Sequence, residues 1–361
     1  MARGRAKTKI KEVRLSVWEI DSSIALEGVI DNLRLDYNLP ISYLADRADL
    51  QERDKTLENG WHPANGETDF SINSLNIANT DIRYVHASGY YEKAESEQKA
   101  VINVNGTNNT VVPRHLRVFN RSCPTVFFEI ESKVYALVEV SNSEESRVRS
   151  VLFGQGRGDN KKEEWKKINY KEILQFSWDS QFFYWLLSKI GSSFSHESDP
   201  EYTISLLDVS AVAQLTTEQE YDSTSKGANV LGSLPALSGL GTNQSVYEAG
   251  FAFQFPNMTL TLRMSDNSTC FINSSASNII GENGESLNIE QDYVRVVLTI
   301  YGILLLTLKR KYNSDVANRL WTVSQEQFQR KNWALYVIRE LCEENDISLD
   351  DVKGILPESN N

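Results

Sequence analysis

The chain has 361 residues, of which 40% are apolar and 24% charged, with 19 Gly and 8 Pro. That balance is close to a globular average, which excludes a fibrous or wholly disordered protein, and the length suffices to bury a core in two or three lobes. A net charge of −12 excludes a surface that is basic throughout, so any contact with a polyanion has to be local.

The first element in chain order is a strand over residues 9–20. Val13, Leu15 and Val17 alternate there with Glu12, Arg14 and Ser16. The basic stretch before it leads into this alternation and not into the apolar run of a secretory signal, so export is not expected. From Ser22 to about Asn120 polar loops interrupt short apolar runs and no element stands out. Residues 125–140, TVFFEIESKVYALVEV, read as a hairpin turning at Glu131-Ser132-Lys133. An amphipathic helix over 144–153 follows, then the loop Gly154-Gln155-Gly156-Arg157-Gly158-Asp159-Asn160 and the charged run 161–167.

Beyond this joint, residues 179–190 predict a buried helix opened by Asp179 as its cap. Strands are expected over 202–214 and 247–255. A second hairpin runs from Met258, Leu260, Leu262 and Met264 through Ser265-Asp266-Asn267-Ser268 to Cys270-Phe271-Ile272. The Gly- and Ser-rich residues 225–242 between these strands read as a mobile or partner-ordered loop. The rest is helical: residues 288–312; residues 324–345, with the capping-box spacing Ser324-Gln325-Glu326-Gln327; and the short 349–356. Leu335, Ile338, Leu341 and Cys342 fall at i, i+3, i+6 and i+7 of the second. Residues 296–308, VVLTIYGILLLTL, would rise only about 20 Å as a helix, short of a bilayer's roughly 30 Å, so a water-excluded core helix and no membrane contact are expected.

These elements predict an α+β fold, with mixed or antiparallel sheets and hairpins in two lobes followed by a helical C-terminal part. The lobes are expected at 1–160, 161–286 and 287–361. Cys123, Cys270 and Cys342 are far apart and odd in number, so neither a disulfide framework nor a CxxC metal knuckle is available, and a reducing, cytoplasmic setting fits.

No catalytic signature emerges. His62, His86, His115 and His196 are scattered, without HExxH or HxH spacing. Ser238 lacks the GxSxG turn. The Gly-x-Gly-x-Gly loop around Arg157 lacks the GxxxxGK[ST] spacing of a nucleotide-binding loop, and Arg114, His115 and Arg117 form a cluster that could meet a phosphate. Glu129, Glu131 and Lys133 give the E-x-E-x-K string of a metal-dependent nuclease strand, which would need Mg²⁺ and a further carboxylate upstream; no Asp occurs between Asp81 and Asp159. Basic residues cluster in two places, Arg3, Arg5 and Lys7 in the N-terminal tail, and Arg147, Arg149, Arg157, Lys161 and Lys162 around the glycine loop.

The hairpin PTVFFEIESKVYALVEV, the following RSVLFGQGRG and the later LTLRMSDNSTCFIN ahead of a helical end resemble phage-exclusion proteins of the RexA type and the DNA-binding subunits of Kiwa-like bacterial defence systems. The resemblance implies an intracellular antiviral protein that binds DNA, often with a partner. The expectation is therefore a non-enzymatic nucleic-acid-binding, adaptor or sensor protein of a bacterial antiphage or regulatory complex, without a cofactor. It would touch nucleic acid weakly through the two basic clusters, and a protein partner or a second copy through the C-terminal helices. The alternative is a metal-dependent nuclease using Glu129, Glu131 and Lys133.

Overall fold

The computed structural model describes residues 12–64, 66–104, 108–156, 163–215, 222–281 and 283–355. The fold is α+β, and every ladder named below is antiparallel. The chain divides into two compact units. One is Arg14–Ile173 with Tyr293–Gly302; the other takes Leu174–Asp292, Ile303–Asn361 and the residues before Arg14.

The first unit is a sheet built on strands β1 (Glu12–Glu19), β2 (Gly60–Pro63), β3 (Asn73–Ile77), β4 (Thr80–Ala94), β5 (Val118–Ile130) and β6 (Lys133–Glu139). Its order is β1-β6-β5-β4-β2, with β3 on the other half of the long β4. One row of the register, Trp18, Ala136, Phe127 and Val85, is fully buried under helices α1 (Leu26–Leu33) and α2 (Asn142–Leu152), which contribute Leu26, Val29, Leu33, Val148 and Leu152 to the same core. The next row, Val17, Leu137, Val126 and His86, faces the other way, where His86 stacks on Tyr293 at 5.7 Å. Both faces of β5 and β6 are covered, which is why they read as continuous apolar runs instead of an alternation. Between them Glu131 and Ser132 both take positive φ, +50° and +64°, as a two-residue hairpin turn requires.

Gly89 of β4 sits where this core is tightest. A Cβ there would meet Leu152 Cδ1 at 2.6 Å and Cys123 Sγ at 2.8 Å. Gly89→Ala is expected to cost about 1–3 kcal/mol, because neither neighbour can move within a filled core, and to lower the thermal midpoint by several degrees in a calorimetric scan.

The second unit is a sheet of β7 (Ser193–His196), β8 (Asp199–Leu215), β9 (Asp222–Lys226), β10 (Ser245–Phe255), β11 (Met258–Ser265) and β12 (Thr269–Asn273), in the order β7-β8-β10-β11-β12 with β9 also on β8. Helix α3 (Ser180–Ser188) begins as its cap predicts, Phe182 N donating to Asp179 Oδ1 at 2.8 Å, and Phe182 to Leu187 are all buried. Residues 225–242 are no loop. After β9 they form a short turn and helix α4 (Leu234–Gly241), with Ala236, Leu237 and Leu240 buried and Gly241 against Ala334. The small residues that suggested mobility instead allow close packing.

A single run of helix, α5, covers Tyr293–Leu298, a π-turn Thr299–Leu304 and Leu305–Ala317. Every residue from 296 to 308 is buried, as the length argument predicts, and among the described residues no helix is long and apolar enough to cross a membrane. Helix α6 (Val323–Glu344) starts earlier than expected: Gln325 N donates to Thr322 Oγ1, not to a cap at Ser324, because Thr322-Val323-Ser324-Gln325 offers the same capping spacing two residues upstream. Leu335, Ile338 and Leu341 on it are exposed.

Candidate nucleic-acid interface

The residues singled out in sequence are placed as follows. Arg3, Arg5, Lys7, Arg157, Lys161 and Lys162 lie outside the described residues. Arg149 is only 15% exposed, ion-paired to Glu145 at 2.7 Å, with its guanidinium 3.7 Å over the Tyr170 ring. Arg147 lies beside Glu144 at 3.8 Å. The α2 arginines therefore hold the helix to its own unit first.

Glu129, Glu131 and Lys133 do not converge. Glu129 pairs with Val134 and Lys133 with Ile130 across the hairpin, so alternation sends the Glu129 and Lys133 side chains to opposite faces. Glu129 binds Arg83 at 2.9 Å, Lys133 binds Glu19 at 2.8 Å, and Glu131 is spent in the turn. Among the described residues no group of His, Cys, Asp and Glu could hold a metal ion. Arg114 and Arg117 are tied to the chain as well: Arg114 donates to the Arg53 and Thr56 carbonyls and to Glu92, and Arg117, 2% exposed, donates to the Val112 and Asp54 carbonyls.

What the fold does bring together lies at the β2 side of the first unit. A pocket of about 250 Å³ is lined by Glu58, His62 from β2, Tyr90, Tyr91 and Glu92 from β4, and Asn120 and Arg121 from β5. Tyr90 opposes Gly60 in the ladder, and a Cβ on Gly60 would touch the phenol oxygen at 2.8 Å. The missing side chain lets the Tyr90 ring lie along β2 onto the imidazole of His62, stacked at 4.2 Å with planes 10° apart. Burial, then the nearby carboxylates of Asp36, Glu58 and Glu92, push the Tyr90 phenol up, so it stays neutral at physiological pH.

The two carboxylates of the pocket are already answered. Glu92 accepts from Arg114 and from Glu58 N at 2.6 Å, while Glu58 is paired with Arg53 at 3.0 Å. Arg121 is exposed and carries no ion pair among the described residues; it pairs with Tyr91 in the ladder, so its side chain leaves the sheet on Tyr91's face and reaches the pocket only at its rim, while Asn120, opposite Glu92, shares the face of the His62–Tyr90 stack. A second pocket of about 200 Å³ contrasts with it. There Arg263 is held by Glu12 at 2.9 Å and Glu248 at 2.6 Å over Phe271, and Lys226 lines the same pocket.

A stacked aromatic pair offers a flat surface on which a planar ring can lie. His62 and Tyr90 are 28 positions apart and only the β2–β4 register joins them, while Arg121 lies in the featureless Phe119-Asn120-Arg121-Ser122, so neither motif spacing nor charge clustering pointed here. No family model matches the chain, and no curated protein matches its sequence.

Proposed function

We propose that the protein is a non-enzymatic nucleic-acid-binding protein that holds a single strand at this pocket, one base on the His62–Tyr90 platform and a phosphate farther along the strand passing Arg121 at the pocket's rim. The observation that carries the reading is the stacked His62–Tyr90 pair lining an open pocket. The strongly negative net charge supports a contact confined to such a place. The family resemblance in the hairpin and late-strand segments supports DNA as the nucleic acid and a role as the DNA-contacting subunit of a bacterial antiphage complex.

Fluorescence anisotropy with labelled single-stranded DNA, single-stranded RNA and duplex DNA at several salt concentrations tests it. Tyr90→Ala is expected to weaken single-strand binding about tenfold, since one stacked base contributes roughly 1–3 kcal/mol. Arg121→Ala is expected to flatten the slope of log affinity against log salt by about 0.7, the share of one phosphate contact on a single strand. Arg147→Ala is expected to leave that slope unchanged, because Arg147 already faces Glu144. No binding at low salt, or unchanged affinity for both pocket variants, contradicts the reading.

A further inference from the structure

The pocket of about 200 Å³ in the second unit follows one row of the sheet's register: Lys226 on β9, Ala211 on β8, Gly250 on β10, Arg263 on β11 and Phe271 on β12. Paired residues share a face, so a trough opens where the two middle strands carry only a methyl group and a hydrogen. Three strand spacings of roughly 4.8 Å set the Lys226 and Arg263 backbones about 14 Å apart across it. A bulge in β8 between Val209 and Ala211 inserts Ser210 opposite Gly250, and its hydroxyl comes in over the glycine: a Cβ on Gly250 would meet Ser210 Oγ at 2.7 Å. The Ser210 hydroxyl and the exposed Lys226 ammonium both line the pocket, and neither has a hydrogen-bond or ion-pair partner among the described residues. Arg263 presents a different chemistry. Glu12 and Glu248 hold two edges of its guanidinium and Phe271 covers one face at 3.9 Å, so its remaining flat face is what it offers to the trough. That face of a delocalised cation takes an aromatic ring, whereas a carboxylate or phosphate binds the N–H edges, which are occupied.

We infer that this trough binds a small aromatic carboxylate, its ring on the free face of Arg263 above the Ala211–Gly250 floor and its carboxylate on Lys226 Nζ and Ser210 Oγ. Lys226 supplies one positive charge that no carboxylate answers, which matches a monoanion; a phosphate dianion would face the same single ammonium with Glu12 and Glu248 close by. The volume is below the roughly 300–1,000 Å³ of sites for drug-sized ligands, which limits the occupant to one or two rings. The site lies wholly in the second unit and stands independently of the nucleic-acid reading.

Isothermal titration calorimetry of the full chain with 2-naphthoate reads it out, and a dissociation constant on the order of 0.1 mM is expected for a ligand of this size. Cyclohexanecarboxylate, which keeps the acid without a flat ring, and 2-naphthalenemethanol, which keeps the ring without the charge, are each expected to bind about tenfold or more weakly. 2-Naphthyl phosphate is expected to bind more weakly than the carboxylate as well. Lys226→Gln is expected to weaken 2-naphthoate about tenfold and Lys226→Arg to stay within about threefold of wild type, both with an unchanged thermal midpoint because the side chain is exposed. Ala211→Leu is expected to fill the trough and abolish binding; the Lys226 variants keep the test valid should this one fold poorly. No heat of binding from wild type up to about 5 mM 2-naphthoate, cyclohexanecarboxylate or 2-naphthalenemethanol binding as tightly, 2-naphthyl phosphate binding more tightly, or wild-type affinity in Lys226→Gln would each overturn the inference.

Discussion

Leu305→Asp is expected to remove the protein from the soluble fraction. Leu305 is fully buried at the centre of α5, in a run where every residue from 296 to 308 is shielded from water. A carboxylate there would be desolvated with no partner, at a cost of about 5 kcal/mol or more, comparable with the whole stability of a typical domain. Leu305→Met, which keeps the volume and adds no polar group, is expected to cost under about 1.5 kcal/mol. Soluble yield and the urea midpoint of the two variants, compared with wild type, check the pair.

Asp315→Ala is expected to destabilise the fold without preventing it. The Asp315 side chain is 2% exposed and accepts from Trp185 Nε1 at 3.0 Å, with Lys189 Nζ at 3.0 Å and Lys311 Nζ at 3.2 Å. Removing it leaves the buried Trp185 indole N–H without an acceptor, which costs about 1–3 kcal/mol, whereas the Lys189 and Lys311 ammonium groups, with side chains 29% and 49% exposed, are hydrated in its absence. Burial pushes the Asp315 carboxyl up, but the three donors outweigh it and hold it below the usual carboxylate range. A depressed folded-state pKa contributes stability that is complete above the unfolded value, about 3.9, and is lost as pH falls through the lower folded value. The stability gap between wild type and Asp315→Asn, measured by urea unfolding, is therefore expected to be constant from neutral pH to about pH 5 and to shrink below about pH 4.

The elements legible in the sequence are those in which one local signal and the tertiary environment agree. Asp179 caps α3, the apolar run 296–308 is buried, and the hairpin turning at Glu131-Ser132 has the predicted form. Helix α1 carries the i, i+3, i+7 period in Leu26, Val29 and Leu33, but over only 8 residues and with no side-chain cap at its start, too short a signal to stand out. Helix α4 was hidden by its own Gly and Ser residues. Membership of the two units could not be read along the chain either, since α5 contributes to both.

The candidate site was less legible, for a physical reason. Clustering of Arg and Lys in sequence does not measure exposure: Arg149 is taken up by Glu145 and Tyr170, and Arg114 by Glu92 and two carbonyls. The E-x-E-x-K spacing likewise ignores the hairpin, which sends Glu129 and Lys133 to opposite faces. Tyr90 and His62 become neighbours only through strand pairing, which no local pattern encodes.

The most direct test of single-strand binding at the pocket is photo-crosslinking to an oligonucleotide carrying a photoreactive pyrimidine, with the modified peptides identified by mass spectrometry. The account predicts crosslinks on His62 or Tyr90, lost in Tyr90→Ala and competed by unlabelled single strand. Crosslinks confined to other segments, with the His62 and Tyr90 peptides unmodified, would contradict it.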